Sequence, residues 1–212
     1  MDRSRKSYKG QGHPRRSKNM ETPWTLPGTT ILCDRQADTS IILDGLFSAG
    51  GLVLSQVSAL TGLEGYVIQN WIRRGFTTSP QKKLYSKRQF CRLVIIGLLK
   101  DSLSISEAVD LIASLNGQLD DERDDLVDDS SLYIWFTRSL KICEEKPEKA
   151  KEAACRVLDS EKTIAPALRE RLTEVLEVMC FAYASSVYRK SARELAKKIP
   201  ASNAGLNQTE KA

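Results

Sequence analysis

Residues 52–100 read LVLSQVSALTGLEGYVIQNWIRRGFTTSPQKKLYSKRQFCRLVIIGLLK. Two short helical patterns flank a tight turn at Thr61-Gly62-Leu63. A loop with Pro80, Lys82 and Lys83 follows, then a longer apolar helix. This is the layout of a helix-turn-helix with a basic loop behind it, an arrangement that sets its second helix in the major groove of DNA.

Local signals divide the stretch. Ser55 is a natural N-cap for a first helix with Val57, Ala59 and Leu60 inward, and Gly62 suits the left-handed position of the turn. Residues 66–74 form the second helix. Val67 and Ile68, with Trp71 and Ile72 one turn on, make its buried stripe. Gln69, Asn70, Arg73 and Arg74 fall on the remaining face. Gly75 ends the helix, with Arg73 and Arg74 well placed in its last turn. Residues 76–85 have room only for a loop or a small hairpin. Ser86 with Gln89 is a capping box for a third helix over 87–100, whose core residues are Phe90, Leu93, Val94, Ile96, Leu98 and Leu99. Ser104 with Glu107 repeats the box for a helix over 105–115, closed by Asn116-Gly117.

Charge is spread unevenly around this centre. The net +5 over 212 residues hides a basic stretch 51–100, where eight Lys/Arg against one Glu give +7. Residues 1–20 hold seven Lys/Arg against one Asp, net +6. Residues 101–132 hold one Arg against ten acids, net −9. A basic block followed by an acidic one points to a polyanionic partner for the first.

Outward from the centre, residues 1–20 lack aliphatics and read as a disordered basic tail, solvated or adding phosphate contacts. The domain proper spans 21–117. Pro23 and Pro27 hold its start extended, Trp24 packs on the core, and Asp38-Thr39-Ser40 caps a short helix over 41–47, broken by Ala49-Gly50-Gly51. Residues 118–131 are an acidic linker ending in an N-cap at Asp129 or Ser130. Residues 132–199 form a C-terminal helical region: an amphipathic helix with Tyr133, Trp135 and Phe136, a helix from Pro147 to about 159, and a long helix from Pro166 to 199. In the long helix Leu168, Leu172, Val175, Met179 and Ala182 step by four and three. That seam fits a homodimer through Leu168, Leu172, Val175 and Met179, and equally a helix packed back on its own domain. Residues 200–212 are a polar, disordered tail.

The fold class expected is therefore all-α: a winged helix-turn-helix followed by a C-terminal helical region. The candidate DNA contacts are Gln69, Asn70, Arg73, Arg74, Lys82, Lys83, Tyr85, Lys87 and Arg88. Gln69 and Asn70 offer paired donor and acceptor groups to adenine edges, and Arg73 or Arg74 suits guanine or phosphate. Lys82, Lys83, Lys87 and Arg88 sit where they can straddle the backbone, each contact adding about 0.9 to the salt slope. Tyr85 reads as core or as a hydroxyl reaching a phosphate.

Other chemistries lack support. Five scattered cysteines with no CxxC, and a single histidine in the tail, make a structural zinc site a poor fit. The acidic run lacks EF-hand spacing. There is no Gly-rich phosphate loop, HExxH or GxSxG, so neither a cofactor nor catalysis is expected. With no secretory h-region and no ~20-residue apolar run, the expectation is a cytoplasmic protein with reduced thiols.

Thr61-Gly62, the helix 67–74, Gly75-Phe76, Pro80 with Lys82 and Lys83, and Tyr85 resemble the pattern of the MerR class of winged-helix regulators over about residues 52–115. Leu103-Ser104-Ile105-Ser106-Glu107 is similar to that class's next helix start. Gln69-Asn70-Trp71 replaces the class's Arg-Tyr-Tyr. Its sensing cysteines are absent, and an acidic stretch follows Leu115 in place of its dimer helix. DNA binding is what the resemblance implies; metal sensing and the standard dimer do not carry over. Residues 24–140 also resemble a bacterial family, chiefly from Firmicutes, known as the DUF1836 domain. Trp24–Pro27, Ile68-Gln69-Asn70-Trp71, the stretch 83–88 and the acids before Leu132-Tyr133 carry that likeness. It implies a MerR-like DNA-binding region with no established target. Two other readings fit the chain: a helical interaction adaptor, motivated by the acidic run and the aromatic helix Tyr133–Phe136, and an excisionase-like architectural factor.

Overall fold

The computed structural model describes residues 24–115, 127–143 and 146–199. The chain is mainly helical. A two-stranded sheet, β1 (Trp24–Thr25) with β2 (Leu32–Cys33), comes first. Then follow α1 (Thr39–Phe47), α2 (Leu54–Thr61), α3 (Gly65–Arg73), α4 (Lys87–Leu99), α5 (Ile105–Ala113) and α6 (Asp129–Cys143). A 3-10 turn at Pro147–Lys149 leads into α7 (Ala150–Asp159), and α8 (Pro166–Lys198) closes the described chain. The basic tail 1–20, most of the acidic linker, the helix stop at Asn116-Gly117 and the tail 200–212 lie outside the described residues. No described helix is long and apolar enough to cross a membrane.

α4 is the axis of the fold. Its run from Phe90 to Ile96 is buried without a break. Apart from Arg92 this run is apolar, and a helix covered on every side belongs in the middle of a protein. α2, α5, α6 and α8 all pack against it. The capping box of Ser86 and Gln89 starts it, with Gln89 N donating to Ser86 Oγ at 3.2 Å and Ser86 N donating to Gln89 Oε1 at 2.9 Å. Ser104 and Glu107 start α5 in the same way. The β1–β2 loop lies so close to α4 that a Cβ on Gly28 (φ 72°) would stand 2.9 Å from Val94 Cγ1. Only glycine meets both demands.

The C-terminal helices share this core. Tyr133 and Phe136 of α6 are buried, and the Tyr133 hydroxyl donates to the Pro27 carbonyl at 2.6 Å. Thr137 bonds Thr39 at 2.8 Å, and Arg138 pairs with Asp38, the N-cap of α1, at 3.3 Å. Trp24 is buried, as its sequence position suggests.

Several local expectations shift. Ser55 is not the cap of α2; the helix begins at Leu54, and the Gln56 side chain accepts from Val53 N at 2.9 Å. Ala59 points to solvent and Leu60 is half-buried, because α2 covers α4 along a narrow line through Val57. Asp129 is not a linker cap either. It lies inside α6 and is buried, while Asp128 before it accepts from Ser131 N at 3.3 Å.

The seam on α8 faces the chain's own interior. Leu172, Val175, Met179 and Ala182 are buried and Leu168 is packed at the core's edge. These side chains are occupied within one chain and are not offered to a second copy. Beyond Ala184 the helix leaves the body, and from Ser191 to Ile199 every residue is exposed.

Candidate nucleic-acid interface

The helix pair is held by its own short side chains. Ser58 Oγ donates to the Leu63 carbonyl at 2.6 Å, Thr61 Oγ1 to the Val57 carbonyl at 2.7 Å, and Leu63 N to Thr61 Oγ1 at 3.2 Å. Gly62 takes φ 68°, turning the chain sharply into α3. Leu63 is buried against the open side of Gly97 on α4. Ile68 and Trp71 fix the inner face of α3. Its end is a Schellman closure: Phe76 N donates to the Trp71 carbonyl at 2.9 Å and Gly75 N, at φ 73°, to the Ile72 carbonyl at 3.0 Å.

With that inner face fixed, the helical period sets the outer one. Gln69 and Arg73 are exposed and Asn70 half-exposed. Their side chains make no hydrogen bond within the described residues, so the donors and acceptors are available to a partner. Tyr66 stands one turn before Gln69 and Asn70 and is 71% exposed. In the sequence Tyr66 stands out only as the start of the second helix. Its spacing of three, four and seven to Gln69, Asn70 and Arg73 is the signal that places it on the same stripe. Arg74 lies to one side, its guanidinium 5.3 Å from the Phe76 ring centre.

The following segment is a tight hairpin. Gln81 and Leu84 pair, with Leu84 N donating to the Gln81 carbonyl at 2.8 Å, and Leu52 pairs with Tyr85 through two bonds of 2.7 and 3.0 Å. The two tip residues are Lys82 at φ 49° and Lys83 at φ 65°. Two successive left-handed residues are the mark of a type I′ turn, where Asn-Gly is usual. Here both are exposed lysines. Gln89 Nε2 anchors the hairpin's approach by donating to the carbonyls of Thr78 and Ser79 at 3.1 and 3.0 Å.

Three of the sequence candidates stand elsewhere. Tyr85 is buried beneath the hairpin, and that burial pushes its phenol pKa up; it does not join the exposed face. Lys87 is half-buried and pairs with Asp44 at 2.9 Å. Arg88 pairs with Asp129 at 3.5 Å and Asp128 at 4.0 Å. Charges drawn to nearby carboxylates are poorly placed to neutralise phosphate. Behind them Arg92, unread in the sequence, is buried: Nη1 reaches Asp129 at 3.3 Å and Nε donates to the Phe76 carbonyl at 2.8 Å. Burial raises the Asp129 pKa, while Arg92 and Arg88 oppose that rise. Asp129 thus serves as a counter-charge inside the fold, with Asp128 at its edge. The candidates left exposed or half-exposed are Gln69, Asn70, Arg73 and Arg74 on and beside α3, joined there by Tyr66, and Lys82 and Lys83 at the hairpin tip.

No curated protein and no solved structure matches the chain. Residues 41–136, which hold the helix pair, the hairpin and α4, match the family model described as a domain of unknown function (DUF1836), and the match supports that domain family for this part of the chain.

Proposed function

We propose that the chain is a sequence-specific DNA-binding regulator built on a MerR-like winged helix-turn-helix. α3 enters the major groove, with Gln69 and Asn70 on base edges and Arg73 on guanine or phosphate. Tyr66 meets the sugar-phosphate edge at the helix start. Lys82 and Lys83 at the hairpin tip, with Arg74, take phosphates on the flank. The observation that carries the reading is the polar stripe on α3, exposed and without a hydrogen bond among the described residues, on a helix whose inner face is locked by Ile68 and Trp71. The adaptor alternative loses one of its two motives, because Tyr133 and Phe136 are buried; the other, the acidic run, lies mostly outside the described residues. The test is retention of random genomic duplex fragments at two salt concentrations, followed by sequencing. One recovered motif is the expected result. Salt-sensitive retention without a motif would leave an architectural binder, and no retention at low salt would refute the reading.

A further inference from the structure

The second half of α8 carries a stripe that the fold leaves uncovered. Val178, Phe181, Ser185, Tyr188, Ala192 and Leu195 step by three and four, a strict heptad seam on the side facing away from the core. Phe181 is 48% exposed, Tyr188 64% and Leu195 62%. Projecting helical turns with apolar side chains in water gain little by themselves, since isolated helix is marginal. The undescribed parts of the chain are poor covers: 1–23 has no aliphatic but two methionines, 116–126 has Leu119 and Leu126, and 200–212 has Leu206. A lipid surface asks for a broad apolar face, whereas this stripe is narrow and interrupted by Ser185 and Ala192.

We infer that this stripe is the contact between two copies of the chain, joined as an antiparallel pair of α8 helices about a two-fold axis near Ser186 and Val187. In that register Phe181 meets Ala192 of the second copy, Tyr188 meets Ser185, and Leu195 meets Val178. Both aromatics fall on small side chains and Leu195 falls on Val178, an arrangement that packs without voids. The flanking position then sets Glu177 against Lys198. A parallel pair would instead stack Phe181 on Phe181 and Tyr188 on Tyr188. Charge along the helix favours the same choice. Its second half is basic, with Arg189, Lys190, Arg193, Lys197 and Lys198 against Glu194, while its first half is near neutral, with Glu170, Glu174 and Glu177 against Arg169 and Arg171. Antiparallel pairing keeps the two basic ends apart and lays residues 189–198 of one copy along 175–184 of the other, where Glu177 is the one acid. Each copy covers roughly 500 Å² of its stripe and flanks, so the pair reaches about the 1,000 Å² that a specific interface needs. This contact does not depend on the DNA reading.

The test is sedimentation of the full chain over a wide concentration range, with folding of each variant checked by circular dichroism. The intact chain is expected to be a dimer. Tyr188→Glu with Leu195→Glu, both exposed in the single chain, should raise the dissociation constant by about 100-fold. Glu177→Lys and Lys198→Glu should each weaken the pair several-fold, and their combination should restore it. A monomeric intact chain, a dimer untouched by Tyr188→Glu with Leu195→Glu, or a charge swap without rescue would each overturn the inference. So would a monomer that binds anionic vesicles through the same residues.

Discussion

The hairpin tip offers a substitution that should move stability and DNA binding in opposite directions. Lys82→Asn with Lys83→Gly installs the residue pair that a type I′ turn prefers. At φ 49° and 65° the native lysines sit in a region costing L-residues about 1–2 kcal/mol each. Glycine gives back about 0.5–1 kcal/mol through its freer unfolded chain, and asparagine relieves only part of the cost. The net expectation is a gain of about 1 kcal/mol, read as a higher denaturation midpoint with an unchanged m-value. Both side chains are exposed, so no core contact is lost with them. Binding should suffer, because two phosphate contacts contribute about 1.8 to the slope of log affinity against log salt. Between 50 and 200 mM salt that is about a 12-fold change in the variant-to-wild-type affinity ratio, the variant's deficit being greatest at low salt. The assay is a salt titration of binding to the recovered motif. A parallel salt dependence for variant and parent would refute the role of the hairpin, and a lower midpoint would refute the strain argument.

Gln69→Ala and Asn70→Ala should each remove about 1–3 kcal/mol of base discrimination, measured as competition between matched and mismatched duplexes, while leaving the unfolding midpoint nearly unchanged. Asp129→Ala should cost about 3–5 kcal/mol in denaturant unfolding, because it strands the buried Arg92 guanidinium; a loss below 1 kcal/mol would show that Arg92 reaches solvent. Asp38→Ala should cost about 1 kcal/mol through the lost N-cap of α1. The Ser40 amide holds the Asp38 pKa below its usual 3.8, so its contribution is full above that value and fades as pH falls through the lowered one. Asp38→Asn should flatten that part of the acid-unfolding curve, and an unchanged curve would deny Asp38 the role.

What the sequence reveals here follows the range of the forces involved. The α3 stripe, the two capping boxes and the turn at Gly62 are set by neighbours within a few positions, and all were readable. Arg92 and Asp129 stand 37 positions apart, with Arg92 inside an apolar run and Asp129 at the edge of an acidic one, so nothing local marks them as a pair. Lys87 and Arg88 looked free because Asp44 and Asp128 approach them only in the folded chain. The seam of Leu172, Val175 and Met179 shows the limit of periodicity. It reports that one side of α8 is covered without naming what covers it. The opposite stripe is hard to see in the sequence because Ser185 and Ala192 dilute its apolar signal.

The central place of α4 has a consequence for how the chain is made. Its apolar surface is closed by residues far downstream: Tyr133 reaches back to Pro27, and Ser102 donates to the carbonyl of Ala182. While a ribosome is still delivering α6 to α8, the part holding α3 has emerged but lacks its cover. At roughly 5–20 residues per second that interval lasts several seconds. During it α4 is exposed, and the stripe on α3 has no rigid support. A fragment ending after α5 would stay in that condition permanently. A chain through Ala182 carries every helix that packs on α4, so truncation before α8 is expected to leave α4 partly uncovered.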